Sequence, residues 1–178
     1  TNEAFESWVE KLPNCENLEA SRLAFTWELH FADNYEACLQ VLERVLSEKP
    51  DLTGALTCKG DTLIHLERYD EAFVIAERVL ATDPANGDAW EIRGDVFEAR
   101  EDWHALLENC DSWLTQVPED SRSRFDAFQH RAVAYCALGD MEKMESSIEA
   151  WASFGNRKRK LEFIRKSVFR RAGKEQPK

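Results

Sequence analysis

The residues that could bind a metal ion or transfer a proton are spread widely along the chain. Four histidines, His30, His65, His104 and His130, are separated so that no two of them stand three or four positions apart. Zinc sites built on a helix usually place two histidines at such a spacing. We therefore expect surface or groove histidines, and neither a metal site nor a cofactor.

The cysteines also lack the spacing of a metal site. Cys15, Cys38, Cys58, Cys110 and Cys136 are odd in number and never closer than twenty residues. This argues against both a disulfide framework and a Cys-x-x-Cys metal site. Four of them fall within helical patterns, so we predict reduced, buried thiols and, by default, a cytoplasmic protein.

No set of residues with the pattern of a catalytic site is present. The seven glycines are scattered, so there is no Gly-rich phosphate loop, and no Gly-x-Ser-x-Gly motif occurs. The 34 Asp and Glu residues will form many pairs on helices without an acid or base role. We therefore predict that the protein is not an enzyme.

The elements that must position these side chains are helices that recur at a fixed period. Pro50, Pro84 and Pro118 stand 34 residues apart, and residues 53–86 are the clearest copy of the repeated pattern. A period of this length is typical of a stacked array of helical hairpins. Within the first copy, the pattern predicts a break between two helices at Asp33-Asn34.

The predicted organisation is a single domain over residues 1–178. The fourth copy carries four extra residues around Glu119–Arg124 and lacks the closing proline. The predicted segments are a helix at 2–13, repeats at 19–52, 53–86, 87–120 and 121–156, a basic capping helix at 157–173 and a tail at 174–178.

The repeated pattern has a physical reason. A small residue in the first helix, such as Gly60 or Gly94, faces a residue twelve positions later, Ala72 or Leu106, which allows the two helices to approach closely. The proline then ends the second helix. Each hairpin leaves an apolar face in water, and stacking covers these faces.

The repeat residues resemble a known family. The matching positions are Leu56, Gly60, Leu63, Tyr69, Ala72 and Pro84, followed by Trp90, Gly94, Phe97 and Pro118. They resemble tetratricopeptide repeats, over residues 19–156. The resemblance implies an all-α, right-handed superhelical solenoid of about four hairpins with an N-terminal helix and a C-terminal capping helix. The first copy departs from the pattern at Thr26 and Cys38.

The resemblance also implies a concave surface lined by the first helix of each hairpin. Asp61 and Asp95 are one period apart and are expected to be neighbours along this groove. The surface is expected to be apolar and aromatic at one end and acidic in the middle. The implied lining residues are Leu23, Trp27, His30, Thr57, Asp61, Ile64, Asp88, Glu91, Asp95, Glu98, Asp126, Gln129, Val133 and Cys136.

The charge is divided unevenly along the chain. Residues 157–178 hold ten Lys and Arg against two Glu, a net charge of +8, whereas residues 1–156 have a net charge of −19. The acidic body is a poor match to a phosphate backbone, which argues against nucleic acid as its ligand. No apolar run approaches the roughly 18 residues of a membrane span, and the first residues lack the pattern of a signal peptide. Because the sequence begins at Thr1 and not at Met, removal of an earlier targeting segment stays an alternative.

The C-terminal basic segment contains an apolar stripe, Leu161, Ile164, Val168 and Phe169. We expect it to cover the exposed end of the fourth repeat, as a capping helix does in the resembling family. Nuclear import, nucleic-acid binding or contact with an anionic membrane are the alternatives for its Lys and Arg residues.

The leading functional hypothesis is a non-enzymatic interaction scaffold. Its acidic groove would bind a basic or amphipathic peptide of a partner protein, with Trp27 as an aromatic anchor. Asp61, Glu91 and Asp95 would repel the C-terminal carboxylates that some members of the family bind. The alternatives are a merely solvated acidic face, an accessory protein that binds nucleic acid or anionic surfaces through the basic helix, and self-association through that helix.

Overall fold

The computed structural model describes residues 7, 26, 28–30, 32–119, 121–153 and 161–174. Over these residues every regular element is an α-helix, which confirms the predicted all-α helical-repeat fold. Most of the predicted helix at 2–13 lies outside them. The helices are α1 Tyr35–Glu48, α2 Thr53–His65, α3 Tyr69–Thr82, α4 Gly87–Ala99, α5 Trp103–Gln116, α6 Arg124–Leu138, α7 Met141–Ser153 and α8 Leu161–Arg171.

The chain divides into two compact units, a first unit Thr1–Val79 and a second unit Leu80–Lys178. The first unit contains α1, α2 and most of α3, and the second contains α4 to α8. The prediction of a single domain over residues 1–178, with its repeat boundaries, stays a prediction.

The turn within each hairpin is closed by one residue with a left-handed backbone. Asp33, Glu67 and Glu101 have φ angles of 53°, 57° and 54°, and Gly139 has a φ of 84°. The residue after each of them donates its N–H to the carbonyl five positions back, at 2.9 Å in every case. This is the Schellman helix end. The first three of these residues follow the 34-residue period, and the last comes four residues late, as the predicted insertion requires.

The periodic prolines mark the ends of the second helices. Helices α1, α3 and α5 each end two residues before Pro50, Pro84 and Pro118, respectively. A proline ring clashes with a helical conformation of the preceding residue, so the helix stops there. The second helix of the first repeat runs from Tyr35 to Glu48, directly after the predicted break at Asp33-Asn34.

The core of the first unit lies between α1 and α2. Cys38, Leu42 and Val45 of α1 pack with Ala55 and Cys58 of α2. All five side chains are buried, because α1 and α2 each turn one apolar face toward the other.

The core between α4 and α5 is built on tryptophan. Trp113 is fully buried and packs with Trp90, Val117 and Ala127. The indole N–H of Trp90 donates to the carbonyl of Pro84 at 2.8 Å, so this large side chain is buried with its polar atom satisfied.

Gly94 is buried where α4 packs against α5 and α6. A Cβ atom placed on it would stand 3.3 Å from Asn109 Nδ2 and 3.4 Å from the His130 ring. The sequence pattern predicted Leu106 opposite Gly94. The nearest atoms to this Cβ position belong instead to Asn109 and His130. Asn109 is fully buried, donates to Trp90 O at 3.2 Å and accepts from Arg93 Nε at 2.7 Å. A small residue is needed here because a buried amide, not an apolar side chain, fills the space.

The four cysteines in the described part of the chain, Cys38, Cys58, Cys110 and Cys136, are buried free thiols. The prediction of buried thiols is confirmed for these four, their reduced state stays a prediction, and Cys15 lies outside the described residues. Burial raises the pKa of the Cys110 thiol well above its usual range, which keeps it protonated.

The longer loop before α6 folds back onto its neighbours. The Arg124 guanidinium donates to the carbonyls of Leu114 and Val117 at the end of α5, the latter at 3.0 Å. A cation at this position satisfies carbonyls that have no partner within the helix. A Cβ atom on Gly87 would overlap the side chain of Ser123, so the loop packs directly on the start of α4.

Helix α8 covers the apolar faces of α6 and α7, as predicted for a capping helix. Ile164, Val168 and Phe169 are buried in one cluster with residues of both helices. Val133 and Cys136 of α6 belong to the same cluster and are fully buried. The expectation that these two line the groove is therefore wrong, because α8 covers that part of α6.

None of the helices in the described ranges has the length and apolar character needed to cross a membrane.

Candidate functional site

One face of α4 carries a row of carboxylates. Asp88, Glu91, Asp95 and Glu98 follow helical spacing, so they lie along one side of the helix. The helix begins after Asn86, whose side chain accepts a hydrogen bond from Ala89 N at 3.0 Å. This N-cap and the favourable dipole at the helix start help to hold Asp88 in the first turn.

The carboxylates at the end of this row are bound by an arginine of α8. Arg171 Nε lies 2.7 Å from Glu98 Oε1, and Arg171 Nη2 lies 2.7 Å from Glu98 Oε2. The same Nη2 is 3.8 Å from Asp95 Oδ1. Two parallel bonds of this kind are the strongest geometry for a guanidinium and a carboxylate.

His130 of α6 completes this cluster. Its Nδ1 lies 3.1 Å from Glu98 Oε2, and its Nε2 lies 3.6 Å from Asp95 Oδ1. The His130 side chain is only 3% exposed. The imidazole therefore forms the floor of the acidic site on α4, while Arg171 covers it from α8.

The pKa values in this cluster reflect burial and pairing together. Burial by itself raises the pKa of Glu98, but its hydrogen bonds with His130 and Arg171 outweigh burial and leave the pKa lowered. Burial lowers the pKa of Arg171, and the hydrogen bond and attraction to Glu98 more than offset this, so its pKa is raised. Both groups are held in their charged forms.

Two further predicted groove residues, Asp126 and Gln129, lie half-buried on α6. Burial raises the pKa of Asp126, the opposite direction from Glu98. Helices α4 and α6 contact each other directly. In the second unit the predicted groove positions that stay partly exposed are therefore acidic on α4, and on α6 they are Asp126 and Gln129.

In the first unit, His30 and His65 both lie beside the carboxylate of Asp61. His30 Nε2 lies 2.9 Å from Asp61 Oδ2, and His65 Nε2 lies 3.9 Å from Asp61 Oδ1. Tyr35 stacks on His65 with ring centroids 4.5 Å apart and planes 2° from parallel. Its hydroxyl donates to Asp33 Oδ1 at 2.8 Å.

Of the remaining predicted groove residues, Ile64 and Thr57 are described by the structure. Ile64 is half-buried, and Thr57 is buried, so the expectation that Thr57 lines the groove is wrong. Leu23 and Trp27 lie outside the described residues. Asp61 belongs to the first unit and Asp95 to the second, and their expected contact along the groove stays a prediction.

The sequence reasoning missed Arg171 and the pairing of His30 with His65. The two histidines are 35 positions apart, which is one residue more than the repeat period, and Asp61 precedes His65 by four positions on one helix. A search across the period, rather than within one helix, would have found this cluster. Nothing in the local sequence distinguishes Arg171 from its neighbours, because it is one of ten basic residues in residues 157–178.

Comparison with known proteins rests on structure alone. No protein-family model matches the sequence, and no curated protein matches it. TTC0263, a thermophilic tetratricopeptide-repeat protein of Thermus thermophilus, superposes with a TM-score of 0.73 at 17% identity, covering 87% of this chain and 83% of that chain. A tetratricopeptide repeat protein from Parabacteroides merdae gives 0.72 at 17% identity, covering 97% of this chain and 66% of that chain.

A larger assembly also contains this arrangement of helices. A structure of Naa15/Naa10 bound to HypK-THB matches with a TM-score of 0.62 at 17% identity, covering 88% of this chain and 23% of that chain. At this level of identity the likeness shows the fold. The chain has the tetratricopeptide-repeat fold that its sequence pattern resembles.

Proposed function

We propose that this protein is a non-enzymatic interaction scaffold whose acidic surface on α4 binds a basic segment of a partner protein. The fold alone supports a binding role only by analogy. The observation that carries the proposal is the pairing of Arg171 with Glu98 and Asp95. This surface already binds a guanidinium group in a bidentate, largely buried geometry.

The basic group in this site belongs to the chain itself. Arg171 is at the end of α8, and the rest of that helix is anchored by its buried apolar stripe. The opposite charges of the basic segment and the acidic body suggested that two chains could associate. Within one chain, two arginines of α8 already pair with acidic residues of the body: Arg171 with Glu98 and Arg165 with Glu145.

A partner would first meet the outer part of the acidic row. Asp88 is exposed and Glu91 is half-buried, and both lie on the N-terminal side of the Arg171 site. A cleft of about 410 Å³ opens at the other end, lined by Glu98, Glu101 and Trp103 and also by the basic residues Arg170, Arg171 and Lys174. A basic peptide lying along α4 would therefore meet its carboxylates at Asp88 and Glu91, on the side away from these cations.

A structural neighbour has protein partners: in that structure Naa15/Naa10 is bound to HypK-THB. The shared fold is therefore compatible with binding to proteins. For this chain the partner is defined by chemistry: a segment rich in Arg or Lys. Electrostatic complementarity of this kind mainly sets partner choice and association rate.

The test is charge reversal of Asp88 and Glu91 to Lys in the full chain. Partners captured from a cell lysate by the wild-type protein, and cross-linked to it, should contact α4 through Arg- and Lys-rich segments. The double variant should lose these partners, because two carboxylates become cations. Asp95 and Glu98 are left unchanged so that the ion pair with Arg171 persists.

A matched control reverses the charges of Glu108 and Glu149, which are exposed on α5 and α7. It changes the net charge by the same amount and should retain the partners. Equal capture by both variants and the wild-type protein would rule out this surface as the binding site.

A second candidate function is favoured by the outer face of α8. Phe163 is 72% exposed, and Lys166 and Arg170, three and seven positions later, are exposed on the same side of the helix. A basic face with a projecting aromatic ring suits an anionic surface or nucleic acid. Arg165 and Arg171 face the protein instead, where they pair with Glu145 and Glu98.

Binding to anionic vesicles, to duplex and to single-stranded nucleic acid over a series of salt concentrations tests this candidate. Phosphate contacts would give a steep loss of affinity with salt. Phe163→Ala combined with Arg170→Ala should weaken such binding. The absence of binding at low salt would exclude this role for α8.

A further inference from the structure

We propose that His30, Asp61 and His65 form a binding site for a divalent transition-metal ion of the zinc class. Ligand atoms of these three side chains all lie within 4.8 Å of one another. The helical residue His30 precedes the turn into α1, whereas Asp61 and His65 lie one turn apart on α2. The proposal does not depend on the proposed scaffold function.

The separations of the three groups suit one ion between them. Zinc bonds to imidazole nitrogen and carboxylate oxygen are about 2.0–2.1 Å, which places neighbouring ligands of a tetrahedral ion about 3.4 Å apart. The observed distances, 2.9 Å from Asp61 Oδ2 to His30 Nε2 and 3.9 Å from Asp61 Oδ1 to His65 Nε2, start from different carboxylate oxygens and lie on either side of that value. Small side-chain rotations would bring all three ligands into coordination.

The carboxylate offers a separate oxygen to each imidazole. Oδ2 of Asp61 faces His30 and Oδ1 faces His65. A single His–Asp ion pair would need only one of these rings. The arrangement of two imidazoles around one carboxylate is a donor set that zinc, nickel and cobalt accept, whereas calcium and magnesium favour oxygen ligands.

The rings are held in place by their neighbours. Tyr35 stacks flat on His65, and the His30 ring meets both of them edge-on, at 5.0 Å from Tyr35 and 4.8 Å from His65. Tyr35 is in turn tied to Asp33 by its hydroxyl. Such support reduces the entropy lost when an ion fixes the ligands.

The site is open enough for an ion and its water molecules to enter. The side chains of Asp61 and His65 are each 42% exposed, and that of His30 is 16% exposed. Three protein ligands leave a fourth position for water, and binding in the micromolar range is expected for so exposed a site.

The experiment titrates Zn²⁺ into the full chain by calorimetry, after chelator treatment and without a histidine tag. We expect one Zn²⁺ per chain. His65→Gln and Asp61→Asn should each weaken binding at least about tenfold, because loss of a residue that only orients a metal ligand already costs about that much. His104→Gln, at an exposed histidine on α5, is the matched control and should bind as the wild-type protein does.

Co²⁺ provides a second readout, because its visible absorption bands report tetrahedral coordination by nitrogen and oxygen. These bands should appear in the wild-type protein and in the His104 variant, and disappear in the other two. Circular dichroism checks that each variant is folded, and His30→Gln replaces any variant that is not. Absence of stoichiometric binding, or binding unchanged in His65→Gln and Asp61→Asn, would overturn the proposal.

Discussion

Arg171 and Glu98, 73 residues apart in the chain, form a two-pronged ion pair with both N–O distances at 2.7 Å. The pair ties the end of α8 to the acidic face of α4. It is also better shielded than the pair between Arg165 and Glu145: the Glu98 side chain is 15% exposed and that of Glu145 is 37% exposed. The two pairs share a geometry and differ in burial.

We predict that Arg171→Met destabilises the protein by about 2 kcal/mol, because it leaves the Glu98 carboxylate buried without its cation. Methionine keeps the length of the apolar stem, so the loss reports mainly the charge. Arg165→Met is the control and should cost about 0.5 kcal/mol, since water screens its partner. Urea unfolding of both variants measures the difference, and equal losses would contradict the role given to burial.

The lowered pKa of Glu98 predicts how stability depends on pH. A carboxyl group whose pKa is lower in the folded state contributes stability above its unfolded pKa, about 4.3. That contribution is lost as the pH falls through the folded-state pKa. Glu98→Gln should therefore be clearly destabilising at pH 7 and less destabilising at pH 3. Urea unfolding at these two pH values tests this, and a constant difference would contradict it.

Asp126 should behave in the opposite way. Burial raises its folded-state pKa, so its favourable contribution is present below the unfolded pKa, about 3.9, and is lost as the pH rises through the folded value. Asp126→Asn should consequently stabilise the protein more at pH 7 than at pH 3. Thermal unfolding at both pH values provides the measurement, and a greater benefit at pH 3 would be inconsistent with a buried, ionised carboxylate.

The left-handed turn residues predict a substitution that increases stability. Glu67 is exposed and has a φ of 57°, a conformation that costs energy for any residue with a Cβ. Glu67→Gly should stabilise the protein by about 0.5–1 kcal/mol. The same change at Glu77, exposed within α3, should destabilise it by about 1 kcal/mol. Equal effects at the two sites would show that backbone conformation is not the cause.

We predict that Gly94 and Gly54, both within helices, respond in opposite ways to substitution by alanine. A methyl group at Gly94 would press on Asn109 and His130, both held by hydrogen bonds, so Gly94→Ala should destabilise by about 1 kcal/mol despite its better helix propensity. No atom of the described residues lies within 4 Å of a Cβ at Gly54, so Gly54→Ala should stabilise by up to about 1 kcal/mol. Thermal unfolding of both variants decides the signs.

Much of the fold could be predicted from the sequence because its causes are local. A proline excludes the helical conformation of the residue before it, and α1, α3 and α5 end accordingly. The stripe of Ile164, Val168 and Phe169 predicted a capping helix, and these residues are buried. The candidate functional site was harder to predict from the sequence. Val133 and Cys136 share the helical face of groove residues, but α8 packs over them, and nothing within α6 signals that cover.

The sequence by itself determined the all-α repeat, the hairpin turns and an acidic first helix in the third copy, because period, φ restriction and helical spacing act within a few turns of chain. The tertiary structure alone decided which charges meet. Arg171 reaches Glu98, and His30 meets Asp61 and His65, because packing brings together helices from different hairpins. Such contacts depend on directions in space that residue spacing along one helix does not encode.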